Sequence, residues 1–355
     1  MRERIEKISS ALGADEAALV TGAPARLYLT GFSSSAGAVV ILSDGGYFFI
    51  DSRYFEAAKG AVSSCKVVLM QKFSEQLKQF LTENGIKRVF CETSVVSVDE
   101  FSRWSKVLGD IELSDDNLVD KLIYEMRAVK CETEIASILA AQKITDMGFA
   151  HILDFIKVGK TEREIALELE FFMRSSGSEG TAFDFIAVSG ENSSLQHGVP
   201  TDRKLQSGDF LTLDFGAVKN GYRSDMTRTV AIGEVSDEQC RVYDTVLKAQ
   251  ETALGFLREG VKGCDADKAA RDVIENAGYG KYFGHSLGHS VGIEIHESPN
   301  CAPSCEAVLQ SGTVMTVEPG IYIEGKFGVR IEDMVIIEKS GIRNLTQSPK
   351  ELIIL

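Results

Sequence analysis

Basic residues are in the minority in this chain: 38 lysines and arginines stand against 52 aspartates and glutamates, a net charge of −14 over 355 residues. No basic field exists for a phosphate backbone or an anionic bilayer, so neither nucleic acid nor a membrane is an expected partner. Cysteine is sparse and unpaired. The seven (Cys65, Cys91, Cys131, Cys240, Cys264, Cys301, Cys305) are odd in number, scattered and without a CxxC motif, which argues for free thiols in a reducing compartment. Only Cys301 and Cys305 are close, and with no second pair or spaced histidines beside them they read as loop or core thiols. Long apolar runs are missing, and the N-terminus, Met1-Arg2-Glu3-Arg4-Ile5-Glu6-Lys7-Ile8, is charged where a signal peptide would be apolar. A cytoplasmic protein is the expectation. Low-complexity tracts are also lacking, and 44% hydrophobic with 25% charged residues is an ordinary globular balance.

The length suffices for two domains, each with its own core. Up to Ile123, strand and helix signals alternate. Val39–Leu42 and Tyr47–Ile50 flank Asp44-Gly45, a hairpin signature, helical periodicity covers Ser74–Glu83, and Ile86–Cys91 returns to a strand. The single Trp104 falls on a helical stretch and reads as core. Residues 1–123 thus form an α/β domain, and 124–355 a second one. The second opens with a polar helical stretch to Lys130 and two long amphipathic helices, Glu132–Ile156 and Thr161–Ser175.

Within the second domain one phrase occurs twice. Leu205-Gln206-Ser207-Gly208-Asp209-Phe210-Leu211-Thr212-Leu213-Asp214-Phe215-Gly216 is echoed by Leu309-Gln310-Ser311-Gly312-Thr313-Val314-Met315-Thr316-Val317-Glu318-Pro319-Gly320, with an acid at the same step. His-x-x-Pro precedes each copy (His197 to Pro200, His296 to Pro299), and a second acid follows each, Asp225 and Glu332. Gly159 through Gly177 and Gly260 through Gly278 extend the echo upstream as a glycine-led helix ending in glycine. Two such halves packed face to face would place a site on a pseudo-two-fold between them.

Strand geometry brings the acids together. Asn220-Gly221 is a type I′ hairpin signal that pairs Lys219 with Tyr222 and, counting back, Asp214 with Thr227 and Gly216 with Asp225. Asp214 and Asp225 then share a face as diagonal neighbours, about 7–8 Å apart at the backbone. A three-residue loop at Glu324-Gly325-Lys326 would set Glu318 opposite Glu332, again on one face. An exposed ladder of acids is the plain alternative, but the flanking positions are apolar. Four converging carboxylates repel one another and raise their own pKa values unless cations cancel the charge. Of the five histidines, His197, His285, His289 and His296 lie in or beside the repeated segments, whereas His151 sits on a helix and reads as structural. One imidazole with four carboxylates is a hard, oxygen-rich donor set suited to Mn²⁺, Co²⁺ or Fe²⁺, and two such ions imply hydrolysis.

These residues resemble the pita-bread metallopeptidases, and among them the Xaa-Pro aminopeptidase and prolidase group. The resemblance is carried by Asp-Phe-Gly (214–216), Ser-Asp-Met-Thr-Arg (224–228), Gly-His-Ser-Val-Gly (288–292), Val-Glu-Pro-Gly (317–320) and Val-Arg-Ile-Glu-Asp (329–333). It extends to the N-terminal domain through Tyr28-Leu29-Thr30-Gly31-Phe32 and Asp51-Ser52-Arg53-Tyr54. It implies a creatinase/prolidase-like α/β domain followed by a pseudo-two-fold α+β catalytic domain. It implies Asp214, Asp225, His289, Glu318 and Glu332 as ligands of two divalent ions, manganese first, with cobalt, iron or zinc accepted. Glu318 would double as general base, His197 and His296 would bind substrate and stabilise the tetrahedral intermediate, and His285, Tyr322 and Arg330 would line the pocket. The implied substrate is a peptide with proline in second position, the implied activity Xaa-Pro aminopeptidase ahead of Xaa-Pro dipeptidase, and the implied assembly a homodimer. Two departures stand out: Gln196 precedes His197 where the family usually has proline, and Ser286 replaces a frequent glycine. A creatinase-like amidinohydrolase and a non-enzymatic binding module on the same scaffold are the competing readings, and the complete ligand set argues against both.

Overall fold

The structure is a computed structural model describing all 355 residues. The chain divides into two compact units, Met1–Met126 and Arg127–Leu355. No helix is long and apolar enough to cross a membrane.

The first unit comprises α1 (Arg2–Ser9), β1 (Glu16–Val20), α2 (Ala23–Thr30), β2 (Ala38–Leu42), β3 (Gly45–Ile50), α3 (Phe55–Ala61), β4 (Lys66–Leu69), α4 (Phe73–Glu83), β5 (Arg88–Cys91), α5 (Val98–Leu108) and β6 (Glu112–Ser114). Its six strands form one mixed sheet in the order β4-β3-β2-β1-β5-β6. Trp104 is buried in the core beneath it, with Leu19, Val40, Phe49, Leu81 and Val89. The hairpin expected at Asp44-Gly45 forms one residue earlier: Leu42 pairs with Gly45, leaving Ser43 and Asp44 as the loop. Gly45 takes φ 144, a conformation other residues rarely adopt, and so serves as the first residue of β3.

After α6 (Leu118–Ala128) the second unit builds α7 (Glu132–Phe155), α8 (Glu162–Ser175), β7 (Ile186–Ser189), β8 (Phe210–Phe215), β9 (Val218–Lys219), β10 (Tyr222–Arg223) and β11 (Met226–Ala231). Then follow α9 (Asp237–Phe256), α10 (Gly263–Asn276), β12 (Gly288–Ser290), β13 (Glu297–Cys301), β14 (Val314–Val317), β15 (Gly320–Ile323), β16 (Phe327–Arg330), β17 (Asp333–Glu338) and β18 (Gly341–Asn344). Thr161 starts α8 with a reciprocal capping box to Glu164, and Ser236 starts α9 the same way with Gln239.

The sequence repeat is a repeat of hydrogen bonds. Helices α8 and α10 are each 14 residues long, and Gly159 and Gly260, which lead into them, take φ 89 and 87. The Gly159 N–H donates to Leu205 O at 2.9 Å and Leu205 N–H returns to Lys160 O at 2.8 Å; Gly260 to Leu309 O and Leu309 to Val261 O repeat both distances. Each half then packs a strand pair on its own helices. Leu211, Leu213 and Phe215 of β8 share a core with Ile152, Ile165 and Leu169 of α7 and α8. Met315 and Val317 of β14 share another with Val246, Ala249 and Ala270 of α9 and α10.

Candidate metal centre

Alternation along the strands puts the acids on the faces turned away from these helices. With Leu211, Leu213 and Phe215 in one core, Thr212 and Asp214 point the other way; with Met315 and Val317 in the other, so do Thr316 and Glu318. The first hairpin keeps the expected register on both sides of an interruption at Gly216 and Asp225, where the Asp225 N–H faces Met334 Sδ. Asn220 and Gly221 both take positive φ, 53 and 76, as a type I′ turn requires, and Lys219 pairs with Tyr222 and Asp214 with Thr227. In the second hairpin Ile323 pairs with Phe327 around a loop of three, Glu324 to Lys326. Beyond the acids the same register resumes, with Val317 opposite Asp333. At the step between, the backbone N–H groups of Glu318 and Glu332 turn to Leu287 O and Thr227 O instead of to each other.

Carboxylate oxygens of Asp214, Asp225 and Glu332 all lie within 4.8 Å of one another. The three residues are only 9%, 5% and 1% exposed. His289 joins them through Nε2, 3.7 Å from Asp225 Oδ2 and 3.3 Å from Glu318 Oε1. Its Nδ1 lies 3.2 Å from Ser290 O, which assigns the proton to Nδ1 and leaves Nε2 free as a donor atom. Thr227 Oγ1 donates to Glu332 Oε2 at 2.7 Å, and Thr316 Oγ1 to Glu318 Oε1 at 3.0 Å while accepting the His289 N–H. Two oxygens of the cluster, Asp214 Oδ1 and Glu332 Oε1, are buried without any hydrogen-bond partner. Buried carboxylates left in this way fit the coordination of a cation, so the residues present suit a divalent metal.

The electrostatics describe the same crowding. Burial, followed by the neighbouring acids, raises Asp225 and Glu332 well above the usual carboxylate range. Asp214 is raised more modestly, because Arg330 counters its burial. For Glu318 burial works upward but, with His289 protonated on both nitrogens, the hydrogen bond from Nε2 and the imidazolium charge win, holding it at about 2. His289 is raised despite burial, through Glu318.

Arg330 lies under the cluster. Its guanidinium donates to Asp214 Oδ2 at 2.6 Å, Thr227 Oγ1 at 3.1 Å, Tyr322 OH at 2.6 Å and Gln196 O at 3.3 Å. His285 Nδ1 faces Ser286 O at 2.8 Å, so Nε2 accepts from Tyr322 OH at 3.0 Å. Arg271 fixes the His285 carbonyl and is itself gripped by buried Asp267. Burial pushes the Tyr322 phenol up to about 12 and lowers His285. His296 is exposed, with its ring centroid 4.4 Å from that of His289. His197 is exposed as well and lies near enough to depress the His296 imidazole further, after burial and His289. His151 is apart from all of these, bonded to Glu168 at 2.7 Å and stacked on Phe172.

Thr227, Thr316 and Lys130 were not singled out by the sequence, yet all touch this region. Thr316 left a signal, since it occupies the same place in the repeated phrase as Thr212, two residues before the acid. Lys130 left none, since a lysine in a polar stretch reads as solvated. It lies past the end of α6, with a side chain only 1% exposed.

Known proteins resemble this chain over nearly its whole length. Residues 136–339 match metallopeptidase family M24, and residues 1–129 match the creatinase/prolidase N-terminal domain. An uncharacterized peptidase of Bacillus subtilis, YqhT, is 42% identical over 99% of both chains. A solved Xaa-Pro dipeptidase from Bacillus anthracis superposes with a TM-score of 0.95 at 40% identity, over 99% of both chains. A solved X-Pro aminopeptidase from Thermotoga maritima gives 0.92 at 38% identity, over 100% of this chain and 99% of that one. The chain therefore belongs to metallopeptidase family M24, with that family's pita-bread fold, and to its group of Xaa-Pro dipeptidases and aminopeptidases.

Proposed function

We propose that this protein is a dinuclear metal-dependent exopeptidase that cleaves the bond between an N-terminal residue and a following proline, acting as an Xaa-Pro aminopeptidase. The observation that carries the reading is the pair of partnerless buried oxygens, Asp214 Oδ1 and Glu332 Oε1. Leaving a buried polar atom unpaired costs about 1–3 kcal/mol, a cost that cation binding would offset. Asp214, Asp225, His289, Glu318 and Glu332 would hold two divalent ions, manganese first, with cobalt, iron or zinc compatible with the same donors. When bound, the ions would supply Lewis-acid polarisation of the scissile carbonyl and lower the pKa of the attacking water.

The chain's own groups do the rest. Glu318 is the most open of the four acids, its side chain 16% exposed against 12% for Asp214 and 7% for Asp225. It takes the proton of the attacking water and delivers it to the departing proline nitrogen. His296 and His197, both exposed, donate hydrogen bonds to the carbonyl oxygen as negative charge develops there. Arg330 and Tyr322 orient Asp214 from beneath, with His285 fixing Tyr322.

This role for Arg330 supports the aminopeptidase reading over the dipeptidase one. A guanidinium engaged by Asp214, Thr227, Tyr322 and Gln196 is not free to clamp the terminal carboxylate of a dipeptide. The name of the Bacillus anthracis relative favours the second reading, Xaa-Pro dipeptidase. Product analysis with metal-reconstituted protein on Xaa-Pro and Xaa-Pro-Yaa-Yaa separates them. Release of one N-terminal residue from the longer peptide is the expected result. Activity confined to dipeptides transfers the assignment to dipeptidase, and equal activity without proline overturns both.

A further inference from the structure

Strands β12 and β13 carry His289 and lead away from His296, and their pairing is irregular between those two residues. Gly288 pairs with Cys301 and His289 with Asn300, but Ser290 pairs with Glu297, so Ser298 and Pro299 have no partner at that step. This bulge brings the segment preceding β13 back beside β12 and sets the His296 ring 4.4 Å from that of His289. Such a displaced register needs something to hold it, because the ladder itself is broken there.

Behind the bulge lies a buried ionic cluster that the reaction chemistry leaves unused. Lys130 Nζ donates to Ser290 Oγ at 2.8 Å and to Glu297 Oε2 at 3.2 Å, and so bonds both members of the first pair beyond the bulge. Arg127 Nη2 reaches Glu297 Oε1 at 2.5 Å and Glu294 Oε2 at 2.7 Å. Glu297 Oε1 also accepts the Glu294 N–H at 3.1 Å, closing the loop that ends at His296. Gly292 leaves room for this carboxylate: a Cβ there would lie 2.5 Å from Glu297 Oε1. Side chains of Arg127, Lys130 and Glu297 are 7%, 1% and 5% exposed. Lys130 is further anchored by its own N–H, 3.0 Å from Gly312 O in the second copy of the repeated phrase.

We propose that Glu297, held by Lys130 and Arg127, is a positioning residue that locks the bulged register and thereby sets His296 against His289. The proposal rests on the reading of His296 as a group acting on the transition state. Its chemistry is fixed geometry: one carboxylate with both oxygens occupied, two cations that cannot relocate to solvent, and a histidine one residue away. Because its parts are ionic and buried, removing one charge leaves the others unpaired and loosens the loop.

A double-mutant cycle tests it in the full-length, metal-reconstituted protein. Glu297→Gln is made alone and with His296→Ala, and kcat on an Xaa-Pro-Yaa-Yaa peptide is measured alongside metal content. If Glu297 works through His296, Glu297→Gln lowers kcat about tenfold in the parent and less than about twofold in the His296→Ala background, with metal content unchanged. Equal losses in both backgrounds, or no loss in the parent, overturn the proposal. Loss of metal in Glu297→Gln also overturns it, by assigning the cluster to His289 instead. Should Glu297→Gln fail to accumulate as folded protein, Lys130→Met is read by the same criteria. Full activity in His296→Ala alone marks the failure of the underlying functional reading, and that arm is scored separately from the Glu297 arms.

Discussion

Arg330 Nη2 and Asp214 Oδ2 lie 2.6 Å apart, a buried ion pair that joins the two halves of the repeat directly under the acid cluster. Arg330 of the second hairpin holds Asp214 of the first, and Thr227 of the first donates to Glu332 of the second, so each half supports the other's acid. Replacing Arg330 by Met should weaken metal retention and lower kcat alike for Xaa-Pro and Xaa-Pro-Yaa-Yaa, because a buried charge loses its partner. Steady-state kinetics on both substrates with elemental analysis check this. A rise in KM for the dipeptide alone would show instead that Arg330 clamps a substrate carboxylate.

Metal stoichiometry follows from the donor set. The purified, reconstituted protein should hold about two divalent ions per chain. Asp225→Asn and Glu332→Gln should each lower occupancy and abolish turnover. Full occupancy in both variants, by elemental analysis, removes the assignment of these residues as ligands.

His197→Ala and His296→Ala should keep their metal and lose kcat by about 10²–10³, the usual effect of removing a donor to developing charge. Both imidazoles are exposed, and the His296 ring centroid lies 4.4 Å from that of His289. Metal loss in step with activity would make them ligands.

Metal-free protein should respond to pH in the sense set by Asp225 and Glu332. Their folded pKa values are raised by burial and by one another, so the folded state binds more protons than the unfolded chain above the ordinary carboxylate range of about 4. The contribution of these two carboxyls to the stability of the metal-free form is therefore fully present below about 4 and is lost as pH rises through those elevated values. Metal binding must displace the same protons, so apparent affinity increases with pH over that window. Thermal melts with and without chelator, and calorimetric titration in buffers of different ionisation enthalpy, measure both. A metal-free Tm that climbs with pH across this range contradicts the assignment.

Gly288→Ala should displace the His289 strand. A Cβ at Gly288 would lie 2.1 Å from the Thr316 backbone oxygen, closer than any van der Waals contact. Backbone must move, and with it the bond from His289 N–H to Thr316 Oγ1. A lower Tm with reduced metal content is expected, and unchanged occupancy would separate backbone packing from the site.

Local chemistry alone aligns the acids of the first hairpin. The Asn220-Gly221 turn dictates a two-residue loop, and with period-two alternation that alone puts Asp214 opposite Thr227 and on a shared face with Asp225. A three-residue loop at Glu324 to Lys326 does the same for the second hairpin up to Arg330. The repeat itself was visible because each half needs the same glycine-led helix and the same buried strand. One-residue detail was not always fixed: at Asp44-Gly45 the glycine's backbone freedom is used in the strand, which shifts the loop to Ser43 and Asp44.

What tertiary structure alone decided is how these local pieces meet. Arg330 lies two residues before Glu332 in sequence, but only the approach of the two halves aims its guanidinium at Asp214, 116 residues away. Lys130 is 160 residues from Ser290, and nothing in a polar stretch marks a lysine that will be buried between two histidine-bearing segments. The bulge that pairs Ser290 with Glu297 is likewise a product of packing. Turn type and strand period are properties of a few adjacent residues and are legible in sequence, whereas ion pairs and strand irregularities depend on which surfaces are driven together and on which charges must then find partners.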